Sequence, residues 1–294
     1  MRSDIDYVVP MVFDDDSLWR NDYLTLHRCY NSNAYYTLYY RSWGLEHLQV
    51  LLVKKYMPWI RKIHVLLARE SQRQEWMTDD LVHVVYHKDF IPQEYLPTFN
   101  ACTIEMFLHR IPELSEQFIY GNDDILPTSP LSEEDFFRNG IPCQLYHEEN
   151  FFDNPNTFQA FCMKGLNMIA SDFGKQYSKT WLYGGHSMSA FLKSTCEKVW
   201  EKHQEEILNS ITPERESGNL NQYIYSFYQH LSGNYVKHAP QRMFLSVAIP
   251  LERILMFLQR TDIQIICIND NAKNDEYKQC ASAIKSCLEN KLNQ

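Results

Sequence analysis

The segment Phe118-Ile119-Tyr120-Gly121-Asn122-Asp123-Asp124 limits this chain more than any other. Three apolar residues of strand character stop at a glycine and then present two adjacent carboxylates. Such an arrangement commonly holds a divalent cation at the edge of a sheet. Hard cations such as Mg²⁺ take oxygen ligands, and one or two carboxylates plus substrate phosphates supply them. In an open α/β sheet, ligands sit beyond the carboxyl ends of the strands. The spacing alone serves a second reading equally well, a polar Asn-Asp-Asp turn that caps the next stretch of chain.

Other segments repeat the pattern. Residues 5–13 are Val-rich and run into Asp14-Asp15-Asp16. Residues 63–68 (IHVLLA) are continuously apolar, as buried parallel strands are. Residues 82–86 end in His87-Lys88-Asp89, and residues 263–268 end in Asn269-Asp270, where Asp270 reads as a structural turn. Helical patterns lie between them: 45–56 with Leu48, Leu51, Leu52 and Tyr56 on one face, then 101–109, 189–208, 223–231 and 276–292. The alternation predicts an α/β, Rossmann-like fold. Its mostly parallel sheet would hold strands near 5–13, 63–68, 82–86, 118–120 and 263–268, flanked by helices. Residues 24–40 have no clean period and read as a surface excursion. Residues 147–185, polar with scattered aromatics, read as an insertion over the site.

At 294 residues the chain is long enough for one large domain. A net charge of −9 leaves no basic surplus to neutralise phosphates, which excludes nucleic acid as the main partner. Eight cysteines are scattered without Cys-x-x-Cys or zinc-finger spacing, the usage of free thiols in a reducing compartment. No basic start followed by an apolar run marks a signal peptide, and no window approaches a membrane span. A cytoplasmic location is expected, with docking at the inner face of the membrane beside membrane-bound polysaccharide machinery.

The central stretch resembles the Stealth family of hexose-1-phosphate transferases. The matching pieces are Tyr56-Met57-Pro58-Trp59-Ile60-Arg61-Lys62-Ile63, His87-Lys88-Asp89-Phe90-Ile91-Pro92, Leu96-Pro97-Thr98-Phe99-Asn100, Ile104-Glu105, Leu108-His109-Arg110-Ile111, Leu114-Ser115-Glu116, and Phe118-Ile119-Tyr120 with Asn122-Asp123-Asp124. Further pieces recur toward the C-terminus: His186 before Phe191-Leu192-Lys193-Ser194-Thr195 and Val199-Trp200, and Arg215 before Asn221-Gln222. The resemblance implies one Stealth-like domain over 1–294. Its parts are a donor loop at 1–20, a central region at 41–145, a variable insertion at 146–185, a His/Arg helical region at 186–236, and a terminal strand and helix at 260–294. It also implies transfer of hexose-1-phosphate from a nucleotide-sugar donor to a hydroxyl of a glycan acceptor, as in capsular polysaccharide.

Carried over residue by residue, the catalytic set is Glu105, Asp123, Asp124, His186 and Arg215. Asp123 and Asp124 would hold Mg²⁺ or Mn²⁺, and Asp16, Asn122 and Asn221 would contact the donor. His186 would act as base or orient the phosphate, and Arg215 would stabilise charge on the transferred phosphoryl group. This chain departs from the family pattern at Phe13, Leu51, Gly218 and Asn219. Two other readings remain open: a metal-dependent glycosyltransferase that releases nucleoside diphosphate, and a non-catalytic member that binds a glycan or a partner.

Overall fold

The structure, a computed structural model, describes residues 4–26, 40–151, 155–270 and 276–293. The first half of the chain forms β1 (Ile5–Pro10), α1 (Ser17–Leu26), α2 (Glu46–Tyr56), β2 (Ile63–Leu67), β3 (Val82–Tyr86), α3 (Ala101–Met106), β4 (Gln117–Tyr120) and β5 (Ile125–Pro127). Short strands β6 (Phe137–Arg138), β7 (Ile141–Gln144) and β8 (His147–Asn150) follow, then α4 (Thr157–Ser171), β9 (Thr180–Tyr183) and β10 (Ser189–Leu192). The remainder is α5 (Lys193–Lys202), α6 (Gln204–Asn209), α7 (Tyr223–Ser232), β11 (Val236–Lys237), β12 (Arg242–Ser246), α8 (Leu251–Gln259), β13 (Ile265–Asn269) and α9 (Tyr277–Asn293).

The main sheet has the order β10-β4-β1-β2-β3, parallel throughout except for β10 at one edge. The central strands β1, β2 and β4 are mostly apolar on both faces because both faces are covered, while the edge strand β3 is half-buried. Val8, Leu66, Phe118, Tyr120 and Phe191 point into one core, while Tyr7, Val9, Val65 and Ile119 point into the other. This is the expected α/β architecture with a mainly parallel central sheet.

Two expectations fail in detail. The strand expected near 263–268 forms as β13, but it does not join the main sheet. It lies between β12 and β5 in a second, three-stranded sheet. The sequence carries strand propensity but no information on which edge a strand joins. The helix expected over 189–208 begins only at Lys193. Residues Ser189–Leu192 instead pair antiparallel with β4, which would otherwise be an open edge. There Phe191 packs fully buried against Phe118, with ring centroids 5.6 Å apart. Unpaired backbone groups on a buried strand cost more than the local helical preference is worth.

The segment 147–185 forms an antiparallel β8–β9 pair with α4 between them in sequence. Helix α4 packs along α7. Gly165 permits the contact, since a Cβ there would come within 2.8 Å of Ile224 Cγ2. Most of the excursion expected over 24–40, with Cys29, lies outside the described residues; the seven other cysteines are free thiols. Among the described residues, no helix is long and apolar enough to cross a membrane.

Candidate active site

Beyond the end of β4 the chain makes the loop Gly121–Asp124. Gly121 is dictated by packing: a Cβ there would collide with the Tyr7 hydroxyl. Gln49, fully buried on α2, donates from Nε2 to the carbonyls of Asn122 and Ile125, each at 2.9 Å. From the second sheet, the Ile268 amide donates to the Asp124 carbonyl at 2.8 Å. The main chain of the loop is therefore fixed from two sides, while its carboxylates are left for other partners. Asp123 combines access to cleft water with a dense protein surround. That crowding first, then the Asp124 carboxylate and Glu46, push its pKa up to about 7. Water in the cleft relieves part of the first effect and leaves the repulsion between neighbours. Asp124 Oδ1 is buried and, among the described residues, receives no well-formed hydrogen bond, the closest ion-pair partner being His186 Nε2 at 3.5 Å.

Glu105 is buried on α3. Its Oε2 accepts from the Gln222 amide at 3.0 Å and its Oε1 from the Tyr120 hydroxyl at 3.2 Å. Burial raises its pKa, against the lowering pull of those hydrogen bonds and of the Arg215 charge. Arg215 is exposed on a loop that Asn219 knits together. Asn219 Nδ2 donates to Ser210 O (2.6 Å) and Thr212 Oγ1 (2.7 Å), and its Oδ1 accepts from the Glu216 amide (2.7 Å) and Asn100 Nδ2 (3.0 Å). Asn100 also caps α3, so one buried amide pair links the helix of Glu105 to the loop of Arg215. A carboxylate at 219 has no N–H to donate and could not make the two bonds to Ser210 O and Thr212 Oγ1. The departure at Asn219 is thus explained by packing.

His186 sits three residues ahead of β10. Because β10 runs antiparallel, with Ser189 opposite Tyr120, its leading loop lies beside the acidic loop. His186 Nε2 is 3.5 Å from Asp124 Oδ1, and its Nδ1 is 3.4 Å from the Tyr223 hydroxyl. Burial disfavours the imidazolium, but Asp124 and Glu105 more than offset it and the pKa is raised. From β13, Cys267 Sγ donates to Asp124 Oδ2 at 3.2 Å.

Glu105, Asn122, Asp123, Asp124, His186, Arg215 and Asn221 all line one cleft of about 750 Å³. Asp16 does not line it. Its Oδ1 accepts from the Leu18 amide at 3.0 Å and its Oδ2 from Ser71 Oγ at 2.5 Å, so it caps α1 instead. Leu51 is also outside the lining, and Phe13 is a core residue. Asp270 is the structural residue expected, held by Arg41 through two 2.5 Å bonds. The walls differ by strand. Met11, His87, Trp19, Tyr40 and Phe99 lie on the side where β1, β2 and β3 end, and Phe158, Trp181, Tyr183 and Tyr223 lie on the side of β10. Burial pushes His87 down to about 4, so it is a neutral imidazole with its Nδ1 unpartnered. Gln49, Cys267 and the aromatic walls escaped the sequence reading. Their signal is burial and proximity, which no spacing carries.

Asp123 and Asp124 fit an oxygen-preferring divalent cation. They are adjacent carboxylates at a strand end, one with a raised pKa and the other with an oxygen that, among the described residues, receives no well-formed hydrogen bond.

A solved structure of the galactosyltransferase LgtC with donor and acceptor sugar analogues covers 97% of this chain and 95% of its own, a remote likeness at TM-score 0.45 and 11% identity. The receptor polysaccharide phosphotransferase WefC of Streptococcus gordonii is 29% identical over 94% of this chain and 93% of its own length. A capsular polysaccharide phosphotransferase of Actinobacillus suis is 32% identical over 70% of this chain, which spans 58% of that relative. Residues 40–144 match the model of Stealth protein CR2, conserved region 2. With that region and the near full-length likeness to WefC together, the chain belongs to the Stealth family.

Proposed function

We propose that this protein is a phosphotransferase that moves hexose-1-phosphate from a nucleotide-diphosphate sugar to a hydroxyl of a capsular or surface glycan. The observation that carries the reading is the convergence of Glu105, Asp123, Asp124, His186 and Arg215, drawn from separate segments of the chain, on one cleft. The names of the relatives, capsular and receptor polysaccharide phosphotransferases, support it.

The nucleotide would lie along the wall of His87, Trp19, Tyr40 and Phe99, where the parallel strands end. The acceptor would lie against Phe158, Trp181 and Tyr183. Asp123 and Asp124 would hold Mg²⁺ or Mn²⁺ by their carboxylate oxygens. Bound there, the cation would neutralise the diphosphate and stabilise the departing nucleotide. His186 Nδ1, which faces the acceptor wall beside Tyr223, takes the proton of the attacking hydroxyl. Asp124 at Nε2 stabilises the imidazolium that forms, as a carboxylate does in a hydrolase triad. The hydroxyl oxygen attacks the phosphorus that bears the sugar, the bridging P–O bond breaks, and nucleoside monophosphate leaves. Arg215 supplies a planar donor fork to the phosphoryl oxygens during transfer. Glu105, clamped by Gln222 and Tyr120, places negative charge near Arg215 and His186.

Identification of the released nucleotide tests this reading. With a panel of nucleotide sugars and Mg²⁺, nucleoside monophosphate and a phosphorus-containing glycan are expected. Nucleoside diphosphate and a phosphorus-free glycan would make the protein a glycosyltransferase instead.

A further inference from the structure

Three side chains from three different elements meet where the two sheets adjoin. Asp124 comes from the acidic loop, His186 from the turn before β10 and Cys267 from β13. Each offers one ligand atom, and these atoms all lie within 4.8 Å of one another. Among the described residues no other group of three His, Cys, Asp or Glu side chains converges in this way. We infer that the trio is a site for a borderline or soft divalent cation, Zn²⁺ foremost, and that filling it stops the enzyme.

The donor chemistry carries the inference. One imidazole nitrogen, one carboxylate oxygen and one sulfur, with a fourth position open to solvent, is a zinc donor set. It is a poor set for Mg²⁺, which takes oxygen and keeps its water. The two cations therefore share Asp124 and differ in everything else. Tetrahedral zinc, with bonds of about 2.0–2.3 Å, sets its ligands about 3.5 Å apart. Cys267 Sγ lies 3.2 Å from Asp124 Oδ2 and His186 Nε2 lies 3.5 Å from Oδ1, and with one atom from each residue the three lie within 4.8 Å of one another, a spacing that small side-chain rotations close to the tetrahedral one. The frame is rigid: β13 is tied to the acidic loop by the Ile268 amide, and β10 is tied to β4 by its ladder. Entry is through the cleft, since the His186 and Asp124 side chains are 26% and 27% exposed while Cys267 lies behind them, 1% exposed.

On binding, the thiol proton and any imidazolium proton pass to solvent, and metal–sulfur, metal–nitrogen and metal–oxygen bonds form. His186 then cannot accept a proton from the acceptor, and Asp124 is withdrawn from the oxygen-ligated cation. The inhibition rests on the transferase reading; the binding does not.

The test uses Co²⁺, a spectroscopic stand-in for Zn²⁺, on the purified full chain. One equivalent is expected to give tetrahedral visible bands and a near-ultraviolet sulfur-to-cobalt charge-transfer band. Zn²⁺ should abolish both, and excess Mg²⁺ should not. Cys267→Ser should lose the charge-transfer band with an unchanged circular dichroism spectrum. The more exposed His186→Ala should bind Co²⁺ at least tenfold more weakly, which keeps the proposal testable if the buried serine variant does not fold. Wild-type protein without a charge-transfer band, or a serine variant that retains it, would overturn the site. In the transferase assay with excess Mg²⁺, Zn²⁺ should inhibit wild type, with at least tenfold lower sensitivity in Cys267→Ser relative to that variant's own rate. Equal sensitivity overturns the inhibitory role. A thiolate–cobalt band in a protein that turns over no nucleotide sugar would leave this site standing and remove the transferase reading.

Discussion

Two carboxylate groups at opposite ends of the same two strands differ in how they are held. Asp6 opens β1 and sits opposite Phe118 at the start of β4. It is fully buried and fully partnered: Arg61 donates at 2.9 and 2.6 Å, His64 Nε2 lies at 2.9 Å, and the Ser115 amide donates at 2.9 Å. Burial alone would raise its pKa, but His64 and Arg61 outweigh it and the carboxyl titrates below the ordinary range. Among the described residues, Asp123 and Asp124, where β4 ends, have no arginine or lysine ion-pair partner within 4 Å, and Asp123 titrates above that range. A carboxylate supplied with donors holds the fold together. One left short of them is poised to bind a cation or a proton.

The same substitution at each end puts this contrast at risk. Asp123→Asn is expected to lower turnover by about 10²–10³-fold. It should cost the apo-protein no stability, because it removes repulsion with Asp124. Steady-state rates and denaturant unfolding of one preparation measure both, and a stability loss matching the activity loss would erase the distinction. Asp6→Asn should do the reverse. Removing one partner from a buried charge network costs about 3 kcal/mol, while kcat of the folded fraction stays near wild type. Asp6 has a lowered folded pKa, so its contribution is present above the unfolded value of about 3.9 and is lost as pH falls through the folded value. The difference between wild type and variant should therefore shrink in acid, which unfolding curves from pH 7 to pH 3 will show.

Smaller effects are expected around the acidic loop and its neighbours. Arg215→Lys keeps the charge and loses the fork. It should reduce kcat about 10- to 100-fold with a smaller change in donor KM, and an unchanged kcat would remove Arg215 from the transfer step. Asp124→Asn in metal-free protein removes the charge that raises His186. The His186 midpoint followed by NMR should fall, and a midpoint that stays or rises would deny their coupling. Asp16→Ala should cost about 1 kcal/mol as a lost helix cap and leave donor KM unchanged. A large rise in KM would return Asp16 to the donor site.

Much of this molecule is legible in its sequence where a local property decides the outcome. The apolar runs at 63–68 and 118–120 read as buried strands and the structure buries them, 82–86 forms the half-buried edge strand β3, and Gly121 followed by two carboxylates marked the end of β4. The positions of Glu105, His186 and Arg215 were legible only through the family-like phrases around them, because an isolated Glu, His or Arg has no spacing that declares a role. Local signals misled where a tertiary partner outvoted them. Residues 189–192 fit a helix until β4 supplies an edge to pair with. Asp16 resembles a donor ligand until α1 needs a cap.

An α/β sheet with carboxylates at its carboxyl edge was already written in the order of residues, because period, propensity and turn chemistry are local. Folding in three dimensions was needed to take β13 out of the main sheet, to let Gln49 grip the acidic loop from beneath, and to bring Cys267 within 3.2 Å of Asp124. Those facts depend on which surfaces meet across more than 70 residues of chain, and such contacts are set by the packing of the whole core.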